Sequence, residues 1–106
     1  MKSYLAPLAA VAVLTCAFGT TAVAATAPVV AKLETPVAKL KRPIAGQASF
    51  VCEGDTCTSL SPASGTNTVP GCRELVHAVG AVTSFGQEGK AFDADKLTRC
   101  NAAARK

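Results

Sequence analysis

Past an apolar opening stretch, short segments of alternating apolar and polar residues give way to two stretches of helical spacing, each set off by turn residues. Ala48–Cys52 and Thr56–Leu60 alternate as half-buried strands do, with Glu53-Gly54-Asp55 between them. Taking Gly54 and Asp55 as a two-residue turn, with glycine where positive φ is needed, sets Glu53 opposite Thr56 and Cys52 opposite Cys57. That second pair is a non-hydrogen-bonded one, where alpha carbons come closest and a cross-strand disulfide can close. Residues 61–69, rich in Ser, Pro, Gly, Thr and Asn, read as a loop. Pro70 then suits a first helical turn, Cys72, Leu75, Val76 and Val79 share one face, and Gly80 is the stop, with Arg73, Glu74 and His77 on the polar side.

Val82–Phe85 reads as a strand, Gly86–Gly89 as a turn and Lys90–Phe92 as a short returning strand. Asp93 caps a second helix, Phe92 and Leu97 form a hydrophobic staple, and Ala94, Leu97, Cys100 and Ala104 lie on one face. The order hairpin, helix, hairpin, helix predicts an α+β domain: a small antiparallel sheet with two helices on one side.

The opening stretch changes the compartment. Met1-Lys2-Ser3 is a short basic start and Leu5–Phe18 an apolar run too short to span a bilayer, which is the pattern of a signal peptide over residues 1–24. Ala22-Val23-Ala24 supplies the small residues before the cut. Cys16 falls inside this leader. Thr15 before it is larger than the Gly, Ala or Ser that lipid attachment wants, so Cys16 reads as a buried leader residue. Removing 1–24 leaves 82 residues, no transmembrane segment and an even set of cysteines: Cys52, Cys57, Cys72 and Cys100.

Between leader and domain, Ala25–Gly46 has Pro28, Pro36 and Pro43, no aromatic and no cysteine, which reads as a flexible basic tether. Pro28–Glu34 is weakly echoed by Pro36–Lys41. The tether carries Lys32, Lys39, Lys41 and Arg42 against Glu34 alone, whereas residues 47–106 balance six cations with six acids. The basic character of the chain, formally +4, therefore belongs to this segment. Four scattered cations suit a solvated linker, and equally an arm that adheres to an anionic surface.

A domain of about sixty residues seldom gains more than ~3–5 kcal/mol from its core, so disulfides have to contribute. Four cysteines allow three pairings, and chain entropy does not choose among them. The hairpin register favours Cys52 with Cys57, leaving Cys72 and Cys100 to clamp the two helices.

No catalytic signature stands out. Cys52-x4-Cys57-x14-Cys72-x4-His77 outlines a Cys3His zinc site, but helical residues five apart lie about 140° from each other, and export to an oxidising space favours disulfides. His77, the one histidine, sits beside Arg73 and Glu74 as a solvated residue with no nucleophile signature near it. Cys52 and Cys57 form C-x4-C, without the C-x-x-C at a helix start that lowers a thiol pKa. Asp93 and Asp95 are accounted for as cap and first turn. The domain has no basic stripe interleaved with aromatics, so nucleic acid is not a predicted partner. No metal site and no cofactor are predicted.

Phe50-Val51-Cys52-Glu53-Gly54-Asp55-Thr56-Cys57, Cys72-Arg73-Glu74-Leu75 with Val79-Gly80, Val82–Phe85 and Leu97-Thr98-Arg99-Cys100-Asn101 together resemble a family of small uncharacterised exported four-cysteine proteins from alphaproteobacteria. The resemblance runs from about Gln47 to Ala102, most specifically in the cysteine-glycine-cysteine hairpin and the closing Cys-Asn. It implies a compartment and a scaffold, without a reaction.

The function these readings support is a non-enzymatic interaction or structural module, periplasmic or secreted. Its expected partner is an envelope protein, or an anionic surface met through Lys32, Lys39, Lys41 and Arg42. The alternative is a periplasmic thiol-disulfide redox protein using Cys52 and Cys57.

Overall fold

The computed structural model describes residues 27–104; the leader and Cys16 lie outside them. In chain order the elements are β1 (Val29–Leu33), β2 (Ile44–Ala45), β3 (Ala48–Ser49), β4 (Val51–Glu53), β5 (Thr56–Ser59), α1 (Val69–Val79), β6 (Val82–Gln87), β7 (Lys90–Ala91) and α2 (Ala94–Asn101). Five strands form one antiparallel sheet in the order β4-β5-β1-β6-β7, and β2 and β3 form a separate ribbon. The hairpin-helix-hairpin-helix order and the α+β class are as the pattern predicts.

The expected tether is corrected by β1, which lies at the centre of the sheet. It pairs with β5 on one side and β6 on the other, and Val29, Ala31 and Leu33 point into the core while Val30 and Lys32 do not. Prolines exclude a helix from residues 28–43, but they leave room for a five-residue strand between Pro28 and Pro36. What holds the segment is a neighbour on each edge: Ala31 lies between Cys57 and Phe85. Beyond β1 the chain stays bound, since Leu33 N–H donates to Asp55 O at 2.7 Å and Val37 N–H to Gly54 O at 2.9 Å, fastening the tip of the β4–β5 hairpin.

Residues 41–52 form a second hairpin that crosses the expected domain boundary at Gly46/Gln47. Ile44 pairs with Ser49 and Ala45 with Ala48; the register continues through Phe50 N–H donating to Pro43 O at 2.8 Å, and ends at the Lys41–Cys52 bridge. Gly46 and Gln47 both have positive φ (59° and 67°), as a two-residue type I′ turn requires. Pro43 cannot return the second bond of its pair, which is why the ladder is interrupted there.

In β6 the register slips by one residue opposite Lys32 and Leu33, a bulge that leaves both Thr83 and Ser84 exposed. Val82 and Phe85, three apart, thereby both reach the core. Phe85 packs against Phe50 and Phe92, with ring centroids 6.4 and 4.8 Å away. Leu75 and Val76 from α1 complete the core, with Phe92 and Leu97 packed against its margin.

Each helix is bounded as its sequence suggests. Thr68 Oγ1 accepts from Gly71 N–H at 3.0 Å at the start of α1, and Gly80, at φ 108°, ends it. Asp93 accepts from Lys96 N–H at 2.9 Å at the start of α2. Gly71 permits a close approach: a Cβ there would stand 2.5 Å from Gly65 O and 2.6 Å from Thr66 O.

Candidate functional site

The four cysteines form two bonds. Cys52 and Cys57 are joined across β4 and β5 with alpha carbons 4.0 Å apart. The backbone N–H and C=O of Cys52 turn outward to Lys41, at 2.8 and 3.0 Å, so the cysteine pair is of the non-hydrogen-bonded kind. Cys72 and Cys100 join α1 to α2 with alpha carbons 5.6 Å apart. All four are fully buried, and Cys100 is the one buried residue of α2. With every sulfur in a disulfide, no cysteine is left as a metal ligand, and no cluster of three His, Cys, Asp or Glu able to hold a metal occurs among the described residues.

His77 lies on the exposed side of α1, where it, Pro70, Arg73 and Glu74 line an open depression of about 500 Å³. Two of these side chains have a structural task. Glu74 Oε1 accepts from Gly46 N–H at 2.7 Å, and Arg73 Nη1 donates to Arg99 O at 2.8 Å in the last turn of α2. The sequence shows both as charges on a polar face; the contacts need residues 28 and 26 positions away to arrive. Asn101 of the closing Cys-Asn pair is structural too. Its Oδ1 accepts from Val82 N–H at 2.9 Å and its Nδ2 donates to Val82 O at 2.8 Å, so the side-chain amide imitates a strand partner at the start of β6. Thr66 is fully buried, with its hydroxyl donating to Gly46 O at 2.6 Å and accepting from Ala63 N–H at 2.8 Å.

The four cations of residues 25–46 separate into two environments. Lys32 stands on the sheet, its Nζ 3.1 Å from Thr56 Oγ1 and 3.9 Å from Asp55 Oδ1. Lys39, Lys41 and Arg42 line the outer edge beside β4, exposed and without an ion pair among the described residues. Between Glu34 and Glu53 the chain has no acidic residue, so this edge is basic throughout.

The helices cover one face of the sheet and leave the other open. Across the open face runs a row from Val51 through Thr58, Val30 and Gly86 to Ala91, one residue per strand. Two shallow depressions lie along it: one of about 490 Å³ bordered by Ser49, Val51, Thr58 and Leu60, and one of about 440 Å³ bordered by Pro28, Val30, Gly86 and Ala91. Four large apolar residues are exposed among the described ones: Leu60 (76%), Ile44 (74%), Leu40 (47%) and Val51 (41%).

The register explains where those four lie. In 48–53 the even residues Ala48, Phe50 and Cys52 are buried, so Ser49 and Val51 face away from the helices; Ile44, paired with Ser49, faces the same way. Alternation from Ile44 puts Arg42 and Leu40 on that side, and alternation from the buried Cys57 and Ser59 puts Leu60 there. These apolar positions were not singled out from the sequence, although the parity of the cysteines in their strands was the signal that would have found them.

Residues 10–102 match a family of unknown function, DUF8200. The chain belongs to that family. The match begins well before Gln47 and takes in β1 and the β2–β3 ribbon, in agreement with a fold that starts at the N-terminal strand. No curated protein and no solved structure matches the chain. No helix among the described residues is long and apolar enough to cross a membrane.

Proposed function

We propose that this protein is a small, non-enzymatic interaction module of the cell envelope or the secreted space, which binds through the helix-free face of its sheet. The observation that carries the reading is the collection of Leu40, Ile44, Val51 and Leu60 on that one face, 41–76% exposed, beside an edge bearing only positive charge. Isolated apolar residues are ordinary on a protein surface, whereas four gathered on one face mark a place where something docks. Two fully buried disulfides in so small a domain support an oxidising compartment, and with it export by the leader at residues 1–24 and a periplasmic or secreted location.

The redox alternative gains no support from the Cys52–Cys57 bond, because exchange needs a thiolate to reach a sulfur and both residues are wholly covered. The depression beside His77 offers no rival site, since Arg73 and Glu74 are committed to the backbone of other elements.

A photo-reactive residue placed singly at Leu60, Ile44, Thr98 or Asp95 in the exporting cell tests the docking face. Cross-links are expected from Leu60 and Ile44 and not from the two α2 positions. Equal labelling at all four, or none at any, would overturn the reading.

A further inference from the structure

Resting on the docking face just described, we propose that its partner is an anionic phospholipid surface, met by the edge formed by residues 39–44. Leu40, Arg42 and Ile44 alternate onto the helix-free side, while Lys39 and Lys41 interleave with them. Apolar and cationic side chains are thus presented together from one edge, the first reaching below the headgroups and the second meeting the phosphates. The hairpin register fixes this edge. Lys41 is bonded through both backbone groups to Cys52, whose side chain is itself tied to Cys57, and the Gly46–Gln47 turn is anchored on Glu74 and Thr66. A prearranged edge loses little freedom on binding.

Charge selects the partner. Lys39, Lys41 and Arg42 have no ion pair among the described residues, and the run from Thr35 to Cys52 contains no acid. Lys32 belongs to the sheet, where Asp55 and Thr56 hold its ammonium, so it is not part of the binding edge. A second copy of the chain would bring the same cations to the interface, and four apolar side chains fall well short of the about 800 Å² per partner of a stable protein interface. A phosphate-rich surface has the opposite sign and asks for no such area. Three cations near an anionic leaflet are together worth about 100-fold in partitioning.

The test is co-sedimentation of the oxidised chain from Ala25 onward, without the apolar leader, with vesicles of phosphatidylglycerol and phosphatidylcholine or of phosphatidylcholine alone. Binding is expected to the anionic vesicles, to fall steeply with salt, and to be at least tenfold weaker for phosphatidylcholine. Lys39→Gln/Lys41→Gln/Arg42→Gln should lose about 100-fold, and Ile44→Ser/Leu40→Ser should lose roughly tenfold more than Thr98→Ala, a control on α2. Thermal melts of all variants confirm folding, because every substituted side chain is exposed. Equal binding to both vesicle types, or binding that neither variant weakens, overturns the proposal. No vesicle binding while Leu60 and Ile44 still cross-link to a protein overturns the lipid assignment and leaves the docking face standing. A dimer abolished by Ile44→Ser shows that the face serves a second copy, and likewise overturns it.

Discussion

Removing residues up to Gly46 should unfold the protein, although a tether could be removed at no cost. The deletion takes away β1, the strand that both β5 and β6 pair with, and the outer half of the 41–52 hairpin. Val29 and Leu33, at 0% and 5% exposure, contribute about 1.5–3 kcal/mol each on burial, and Ala31 and Ala45 about 0.8 kcal/mol each. The lost side chains alone therefore come to roughly 5–8 kcal/mol, an upper estimate because the unfolded chain is partly compact. A domain of this size has about 4–12 kcal/mol in all. The loss is increased by exposure of Phe85 and Cys57, whose neighbour Ala31 has gone, and by two newly open strand edges. Urea titration followed by circular dichroism would compare chains starting at Ala25 and at Gln47, both oxidised. The first should melt cooperatively, and the second should have no cooperative transition or lose more than half of its midpoint. A cooperative transition at the same midpoint in the shorter chain would refute the reasoning. So would exchange of the Val29–Leu33 amides at unfolded rates in the longer chain.

Replacing Cys72 and Cys100 by serine should cost more than replacing Cys52 and Cys57, since the closed loops of 29 and 6 residues are worth ~3.6 and ~2.2 kcal/mol; melts of the two double variants check the order. Because Cys100 is the one buried residue of α2, the first variant should also lose protection of the α2 amides before the sheet, read by hydrogen exchange. Gly71→Ala should lower stability by about 1–3 kcal/mol, because its methyl would meet the Gly65 and Thr66 carbonyls at 2.5 and 2.6 Å, and backbone there cannot yield as a side chain would. Asn101→Leu should cost about 1–3 kcal/mol by leaving both backbone groups of Val82 without their partner, and a chemical melt reads it directly. Thr68→Ala should cost about 1 kcal/mol through the lost cap on Gly71 N–H.

Everything that depends on neighbours in the chain was legible from the sequence. The Gly54-Asp55 turn sets the register that brings Cys52 to Cys57, and Pro70 with Gly80, then Asp93 with the Phe92 and Leu97 pair, mark the two helices, because turn chemistry, caps and periodicity act within a few residues. What escaped was decided by contacts made far along the chain. Val29-Val30-Ala31-Lys32-Leu33 alternates like a strand, yet five residues carry too little preference to be one alone; Thr58 and Gly86, 28 and 56 positions away, make it the centre of the sheet. The same holds for Glu74 at Gly46 and Asn101 at Val82, side chains whose polarity was evident and whose partners were not. The candidate docking face was half written in the sequence: the parity of Phe50, Cys52 and Cys57 already assigns Val51 and Leu60 to the opposite side. Only the tertiary structure could place both helices on the cysteine side and fold the Lys39–Ile44 edge against β4. Alternation says which residues share a face, and packing alone decides which face is covered.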